Sequence, residues 1–255
     1  YYAFNPIIIR RCKCLLAYIH KLKGAIVPKS PLSTFAQIRA LSAKQSLAFS
    51  VAVLTRMVPH VVLYDELIAP AENAALAEAP VSNELGPLAH KVLGLLWDYL
   101  INHKAKFNYG VQLEKIESMT PDIGPDTPFG VLPAMDACIG LASVLRLIQH
   151  EQDDAAVIIS KLAQGGIEAM LLATEFSEQN DRVLAIDDPE AQDNAHFALS
   201  KALKAHPLME FEIQYQQHVL EYVTTHSLDA AGMKALYDMT QETGITTLGI
   251  ELTSE

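Results

Sequence analysis

The chain has 255 residues, of which 50% are hydrophobic and 19% charged. This composition excludes a disordered chain, and the length is sufficient for one large domain with a substantial core. The most apolar stretch, Leu47 to Leu54, is followed by Arg56 and Pro59 before it reaches the roughly 18 residues that a membrane-spanning helix needs. We therefore expect no transmembrane segment.

Charge is distributed unevenly along the chain. The first 35 residues include six basic residues and no acidic one, whereas the other 220 include 13 basic and all 30 acidic residues, a formal charge of −17. Such a body would repel a phosphate backbone, so we predict no nucleic-acid binding. We expect residues 1–35 to be a basic N-terminal extension that is disordered or not native to the protein. A helix docked on the body, or contact with a membrane surface, are the alternatives.

The three cysteines favour a reducing compartment. Their number is odd, and Cys12 and Cys14 are one residue apart, a spacing that rarely suits a disulfide between them. Cys138 falls on an apolar helical stripe and is predicted to be an inert, buried thiol. We predict a cytoplasmic protein.

Helical periodicity and capping residues describe most of the chain. Ser33 or Thr34 caps the first pattern, Pro59 interrupts it, and residues 70–86 form a surface excursion rich in Ala, Pro and Glu. The helices expected in chain order span about residues 34–54, 61–68, 87–103, 108–116, 133–149, 153–176, 188–204, 207–222 and 227–244. No strand alternates with these helices, so we predict an all-α fold, an orthogonal or antiparallel bundle of about eight helices.

Several blocks of sequence resemble the bacterial YjaG family. They are, in the family's order, LTRMVPHVVLY (54–64), LLWDYL (95–100), FNYGVQLEKIE (107–117), FGVLPAMDAC (129–138), HPLMEFEIQYQ (206–216) and LGIEL (248–252). The resemblance spans about residues 38–252, and the chain is longer than typical members near residues 70–84 and 178–205. It implies that residues 36–255 are a single all-helical domain of a bacterial cytoplasmic protein. The family's biochemical role is not established, so no catalytic residue is implied.

Candidate functional residues are few. Asp136, in an otherwise apolar helix, is expected near the helix start, where free N–H groups favour a carboxylate; a semi-buried acid facing a pocket is the alternative. The sequence has no nucleophile, phosphate-loop or Glu-x-x-His pattern, so we expect no cofactor or metal. We predict a protein that is not an enzyme and that binds a protein partner or a second copy of itself. The alternative is small-molecule binding or hydrolysis in a pocket near Asp136, His103 and His218. Three aromatic residues are candidates for a pocket or an interaction surface: Trp97, Tyr99 and Tyr222.

Overall fold

The computed structural model describes residues 33–67, 84–102, 107–124 and 127–252. Residues 1–32 of the expected N-terminal extension, most of the excursion 70–86, and His103 lie outside these ranges. The described part of the chain contains eleven helices and, besides them, one isolated antiparallel bridge between Ile245 and Glu251. The helices are α1 (Thr34–Arg39), α2 (Ala43–Met57), α3 (Pro59–Leu67), α4 (Leu85–Asn102), α5 (Tyr109–Met119), α6 (Val131–Ile148), α7 (Ala155–Ala173), α8 (Ser177–Leu184), α9 (Pro189–Lys204), α10 (Pro207–Thr225) and α11 (Ala230–Gln241). The all-α fold class is confirmed.

Local capping accounts for most of the helix boundaries. Asn108, Asp188 and Asp229 each accept a hydrogen bond from a backbone N–H in the first turn of α5, α9 and α11. The helix expected from residue 34 to residue 54 was wrong in one respect, because the structure divides it into α1 and α2. The Ser42 hydroxyl accepts from the N–H of Gln45, and the Gln45 side chain accepts from the N–H of Ser42. This capping box starts a new helix at Ala43.

Helix α2 lies at the centre of the bundle. It packs against α4, α6, α7, α10 and α11, and all its residues from Ser46 to Leu54 are buried. Gly140 permits the close approach of α2 and α6: a Cβ added there would lie 2.6 Å from the Cδ2 atom of Leu54.

A second, smaller apolar cluster lies beside the main core. It joins α7 to α8, α9 and the start of α10, and its buried members are Ile167, Leu171, Val183, Leu199, Leu203, Leu208 and Met209. Helix α9 packs against α8 and α10, and most of its side chains are exposed. Helix α8 was not predicted from the sequence.

The C-terminal segment, residues 242–252, folds back onto the bundle after α11. Gly244 and Gly249 take left-handed backbone conformations (φ +60° and +76°), and the N–H of Leu252 donates to the carbonyl of Gly244 at 2.8 Å. The N–H of Thr247 donates to the carbonyl of Arg56 at 3.1 Å, which places the segment against the end of α2.

Three helical stretches among the described residues are long and apolar enough, by length and composition, to cross a membrane. They are Ala43–Glu66, Val131–Ile148 and Ala155–Ala173, and 78%, 72% and 50% of their most apolar windows are buried within the protein. The apolar stretch Leu47 to Leu54 lies within the first of them, and the expectation of no transmembrane segment stays a prediction. In this fold, packing in the core accounts for their apolar character.

Candidate functional site

A buried ion pair joins α2 to α10. Arg56, near the end of α2, and Glu212, in α10, are 1% and 0% exposed, and the Nη1 atom of Arg56 donates to the Oε2 atom of Glu212 at 2.5 Å. Removing two charges from water costs several kcal/mol per ion, so such a pair persists only where further hydrogen bonds satisfy both groups. Arg56 and Glu212 both have such bonds.

The remaining donors of Arg56 bind the C-terminal segment. Its Nε atom donates to the carbonyl of Ile245 at 3.2 Å and its Nη2 atom to the carbonyl of Thr246 at 3.1 Å. The guanidinium also lies over two aromatic rings of α10, 4.8 Å from the centroid of Phe211 and 4.4 Å from that of Tyr215. Arg56 thus fastens the C-terminal segment to the bundle.

The second oxygen of Glu212 continues the network toward α7. Its Oε1 atom accepts from the side-chain amide of Gln216 at 2.8 Å. The amide oxygen of Gln216 in turn accepts from the Ser160 hydroxyl at 2.6 Å and from the Gln164 amide at 3.0 Å. Because these polar groups satisfy one another, we assign the network a structural role.

A small cleft lies next to Met57, the neighbour of Arg56 in α2, and to Thr247 and Leu248 of the C-terminal segment. Its volume is about 10 Å³, room for about one water molecule, and it opens to solvent. The lining residues come from α2, α3, α6, α7 and the C-terminal segment: Met57, His60, Pro133, Asp136, Leu162, Ala163, Gly166, Thr247 and Leu248.

Asp136 is the acidic group of the cleft. It is 7% exposed, and no described residue forms a hydrogen bond or ion pair with its carboxylate. Burial raises its pKa from 3.8 to about 6. Helix α6 begins at Val131 and not at Pro133, so Asp136 is the sixth helical residue, beyond the free N–H groups of the helix start. The expected stabilisation by the helix N-terminus is therefore wrong.

Gly166 of α7 leaves the space in front of that carboxylate open. A Cβ added at Gly166 would lie 3.7 Å from the Oδ2 atom of Asp136 and 3.9 Å from the Cδ2 atom of Leu248. A Cβ added at the neighbouring Gly165 would have no other atom within 4 Å. Helix α7 is continuous through both residues, and Gly166 borders the cleft.

His60 is the second titratable residue of the cleft. Burial, and to a lesser extent the positive charge of Arg56, lower its pKa from 6.5 to about 3. One ring nitrogen, Nε2, lies 3.0 Å from the hydroxyl of Thr247. His60 is therefore uncharged at neutral pH and shares a hydrogen bond with the C-terminal segment.

Of the residues proposed from the sequence, Asp136 alone lines this cleft. His103 lies outside the described residues, and His218 is not among the residues that line it. Burial lowers the pKa of His218, and its electrostatic neighbours are Glu221 and His226. The structure therefore does not place His218 beside Asp136.

The aromatic candidates take part in packing. The indole N–H of Trp97 donates to the Thr55 hydroxyl at 3.0 Å, and Tyr99 makes an edge-to-face contact with Tyr109 at 6.1 Å. Tyr222 donates to the carbonyl of Gly232 at 2.8 Å. None of the three lines the cleft.

Cys138 lies in the core of α6 with no exposed area. Burial raises the pKa of its thiol to about 12; a hydrogen bond with Thr120 acts in the opposite direction, and the carboxylate of Asp65 adds to the increase. An uncharged thiol is a poor nucleophile and metal ligand. No group of three or more His, Cys, Asp or Glu residues within the described ranges could hold a metal ion.

Sequence reasoning missed Arg56 and Glu212. The available signal was a charged or polar residue within an apolar stretch: Arg56 follows the buried run of α2, and Glu212 follows Phe211 on α10. The blocks 54–64, 129–138, 206–216 and 248–252, which carry the family resemblance, meet at this network and cleft.

These features define an all-helical protein with a buried arginine–glutamate network that holds its C-terminal segment beside an acid-lined cleft. The chain belongs to the family described as protein of unknown function (DUF416), whose sequence model matches residues 33–251. The expected likeness to YjaG is confirmed, and membership of this family brings no specific activity.

The chain is similar to bacterial proteins described as uncharacterised. An uncharacterised protein of Haemophilus influenzae is 34% identical over 136 residues, 53% of this chain and 63% of that protein. The uncharacterised protein YjaG of Escherichia coli is 30% identical over 100 residues, 39% of this chain and 51% of that protein. The chain thus matches between half and two thirds of the length of these relatives.

A solved structure has a similar fold. The crystal structure of a DUF416 family protein from Shewanella baltica is similar with a TM-score of 0.66 and 27% sequence identity, over 86% of this chain and 99% of that chain. This similarity supports the helical architecture and leaves the function open.

Proposed function

We propose that this protein is a non-catalytic binding protein whose ligand places a hydrogen-bond-donating group in the cleft at Asp136. One observation supports the proposal: Asp136 is 7% exposed, and its carboxylate has no hydrogen-bond donor among the described residues. Neither oxygen of this carboxylate is among the fully enclosed, unpartnered atoms of the described residues, so the group is accessible from the cleft. A ligand that supplies a donor there would form a charge-assisted hydrogen bond with it.

The other buried acids of the described chain are satisfied by the protein itself. Asp65 accepts from the N–H of Gly86 at 2.6 Å, and Glu212 pairs with Arg56. Asp136 has no such donor and differs from both in facing an open cleft. Because the cleft has room for about one water molecule, we propose that it receives a single group while the rest of the ligand lies outside.

Two neighbouring glycines of α7 allow a matched test. Gly166→Ala adds a methyl group in front of Asp136 at an ordinary contact distance, whereas Gly165→Ala adds one where no atom lies within 4 Å. Both changes raise helix propensity by about 1 kcal/mol, so neither should unfold the protein. We expect a ligand-observed NMR screen of small metabolites to yield compounds that bind the wild type and Gly165→Ala but not Gly166→Ala. A screen in which no compound separates the two variants would overturn the proposal.

We propose binding of a protein partner or a second copy as a second function. It is favoured by exposed apolar side chains on α8 and α9, where Leu184 is 59% and Phe197 74% exposed. The side chains of α9 are mostly exposed, so a partner has access to it. We expect the mass in solution, or the capture of a bacterial partner, to change in a Phe197→Ser variant. A wild-type monomer without a reproducible partner would exclude this function.

A further inference from the structure

We infer that the group received by Asp136 is a primary ammonium carried by an aliphatic chain. This inference rests on the proposed function and adds the chemical class of the ligand. It is carried by the charges around the cleft, by the size of the cleft and by the character of its walls.

The charges around the cleft favour a cation. The lining residues include one carboxylate, Asp136, and no lysine or arginine. Arg56 does not line the cleft and is paired with Glu212 at 2.5 Å, and His60 is held in its uncharged form. An ammonium that donates to a carboxylate forms a charge-assisted hydrogen bond, which is about twice as strong as one between neutral groups. The body of the protein, with 13 basic and 30 acidic residues after residue 35, also attracts cations.

The size of the cleft selects among cations. A volume of about 10 Å³ holds one water molecule, and an ammonium group is of similar size. A guanidinium or a quaternary ammonium is larger, and the walls are formed by residues of four helices and the C-terminal segment. A divalent metal ion needs several oxygen ligands, of which the cleft supplies one carboxylate and the hydroxyl of Thr247.

The walls favour an aliphatic chain behind the ammonium. Met57, Leu162 and Leu248 line the cleft together with the polar groups. Because the cleft holds one group, the chain would lie at its mouth and cover the half-exposed side chains of Leu162 and Leu248. The shared chemistry is that of an alkylamine, from a free small molecule or from a lysine side chain.

The test titrates the full-length, ¹⁵N-labelled protein with n-butylammonium chloride and follows the amide resonances of Gly166 and Leu248. Potassium chloride at equal ionic strength, n-butanol and tetramethylammonium are the comparison probes. Wild type and Gly165→Ala are expected to show saturable shifts with n-butylammonium alone. Asp136→Asn keeps the size of the side chain and removes its charge. It is expected to bind about tenfold more weakly or worse, because hydrogen bonds to charged groups are the stronger class.

Three outcomes would overturn the inference: no saturable response to n-butylammonium, equal binding of n-butanol, or an affinity of Asp136→Asn within about twofold of wild type, too small a change for a charged partner. Failure of the inference can be distinguished from failure of the proposed function. A neutral probe that binds wild type and Gly165→Ala but not Gly166→Ala would keep the function and remove the ammonium. If no probe separates the two glycine variants, both the inference and the proposed function are refuted. Where n-butylammonium binds, Nα-acetyl-lysine amide, with its ε-amine free or blocked, is compared with it to distinguish a lysine side chain from a simple alkylamine.

Discussion

The buried pair Arg56–Glu212 offers the largest stability effect that the structure predicts. Glu212→Gln preserves the shape of the side chain and an oxygen for Gln216, but it leaves the guanidinium of Arg56 uncompensated at 1% exposure. Removal of one partner of a buried pair typically costs 3–5 kcal/mol. The two aromatic rings and two carbonyls around Arg56 remain, so we expect the lower end, about 3 kcal/mol.

The assay is urea unfolding followed by circular dichroism at 222 nm, with the free energy of unfolding from linear extrapolation. Glu178→Gln is the matched control, because it makes the same substitution in the exposed pair Arg182–Glu178 (3.0 Å), where we expect a loss below about 1 kcal/mol. The double variant Arg56→Met with Glu212→Leu buries neither charge and is expected to be more stable than either single variant.

Attachment of the C-terminal segment gives a second readout. Arg56→Met removes the donors to Ile245 and Thr246. The amide hydrogens of residues 244–252 should therefore exchange faster in this variant than in wild type, by a larger factor than those of α4. A loss below about 1 kcal/mol for Glu212→Gln, or one no larger than that of Glu178→Gln, would refute the assignment of Arg56–Glu212 as a buried pair that fastens this segment.

Three further predictions concern α6 and its surroundings. Burial raises the pKa of Asp136 from 3.8 to about 6, so protonated Asp136 favours the folded state; this contribution is fully present below pH 3.8 and is lost as the pH rises to 6. In urea unfolding, the free energy of unfolding of Asp136→Asn should increase by about 2–3 kcal/mol relative to that of wild type over that range. A constant difference between the two proteins would contradict this prediction. Gly140→Ala should lower the free energy of unfolding by about 1–2 kcal/mol in thermal unfolding, because the added Cβ would lie 2.6 Å from the buried side chain of Leu54. The control Gly94→Ala, whose added Cβ has no atom within 4 Å, should not destabilise the protein. In a variant that lacks the other two cysteines, Cys138 should react with a thiol reagent only at the rate of unfolding, and rapid labelling of the native protein would show that the thiol is accessible.

Much of the helical architecture was predictable because its signals are local. The caps at Asn108 and Asp188, and the proline at the start of α3, fix helix ends through hydrogen bonds or steric clashes within a few residues. The division of α1 from α2 was also local, in the Ser42 and Gln45 capping box, and was overlooked because both sides continue the same apolar pattern.

The candidate site was predictable only in part. Asp136 stood out as an acid in an apolar helix, but its position relative to the helix start depended on a boundary that moved by two residues, from Pro133 to Val131. His60 gave no signal that distinguished it from other histidines beside apolar stripes. Its low pKa comes from burial and from Arg56, both of which follow from the packing of α2 and α3 with the C-terminal segment.

The sequence by itself determined that the chain is helical, where most helices begin, and which faces are apolar, since these properties depend on neighbours within one or two turns. Only the tertiary structure decided which polar groups leave water and which partner each receives. Arg56 and Glu212 are 156 residues apart, and their pairing depends on how α2 and α10 pack. The same packing leaves Asp136 facing a cleft without a donor, because no local pattern specifies which side chains meet across helices.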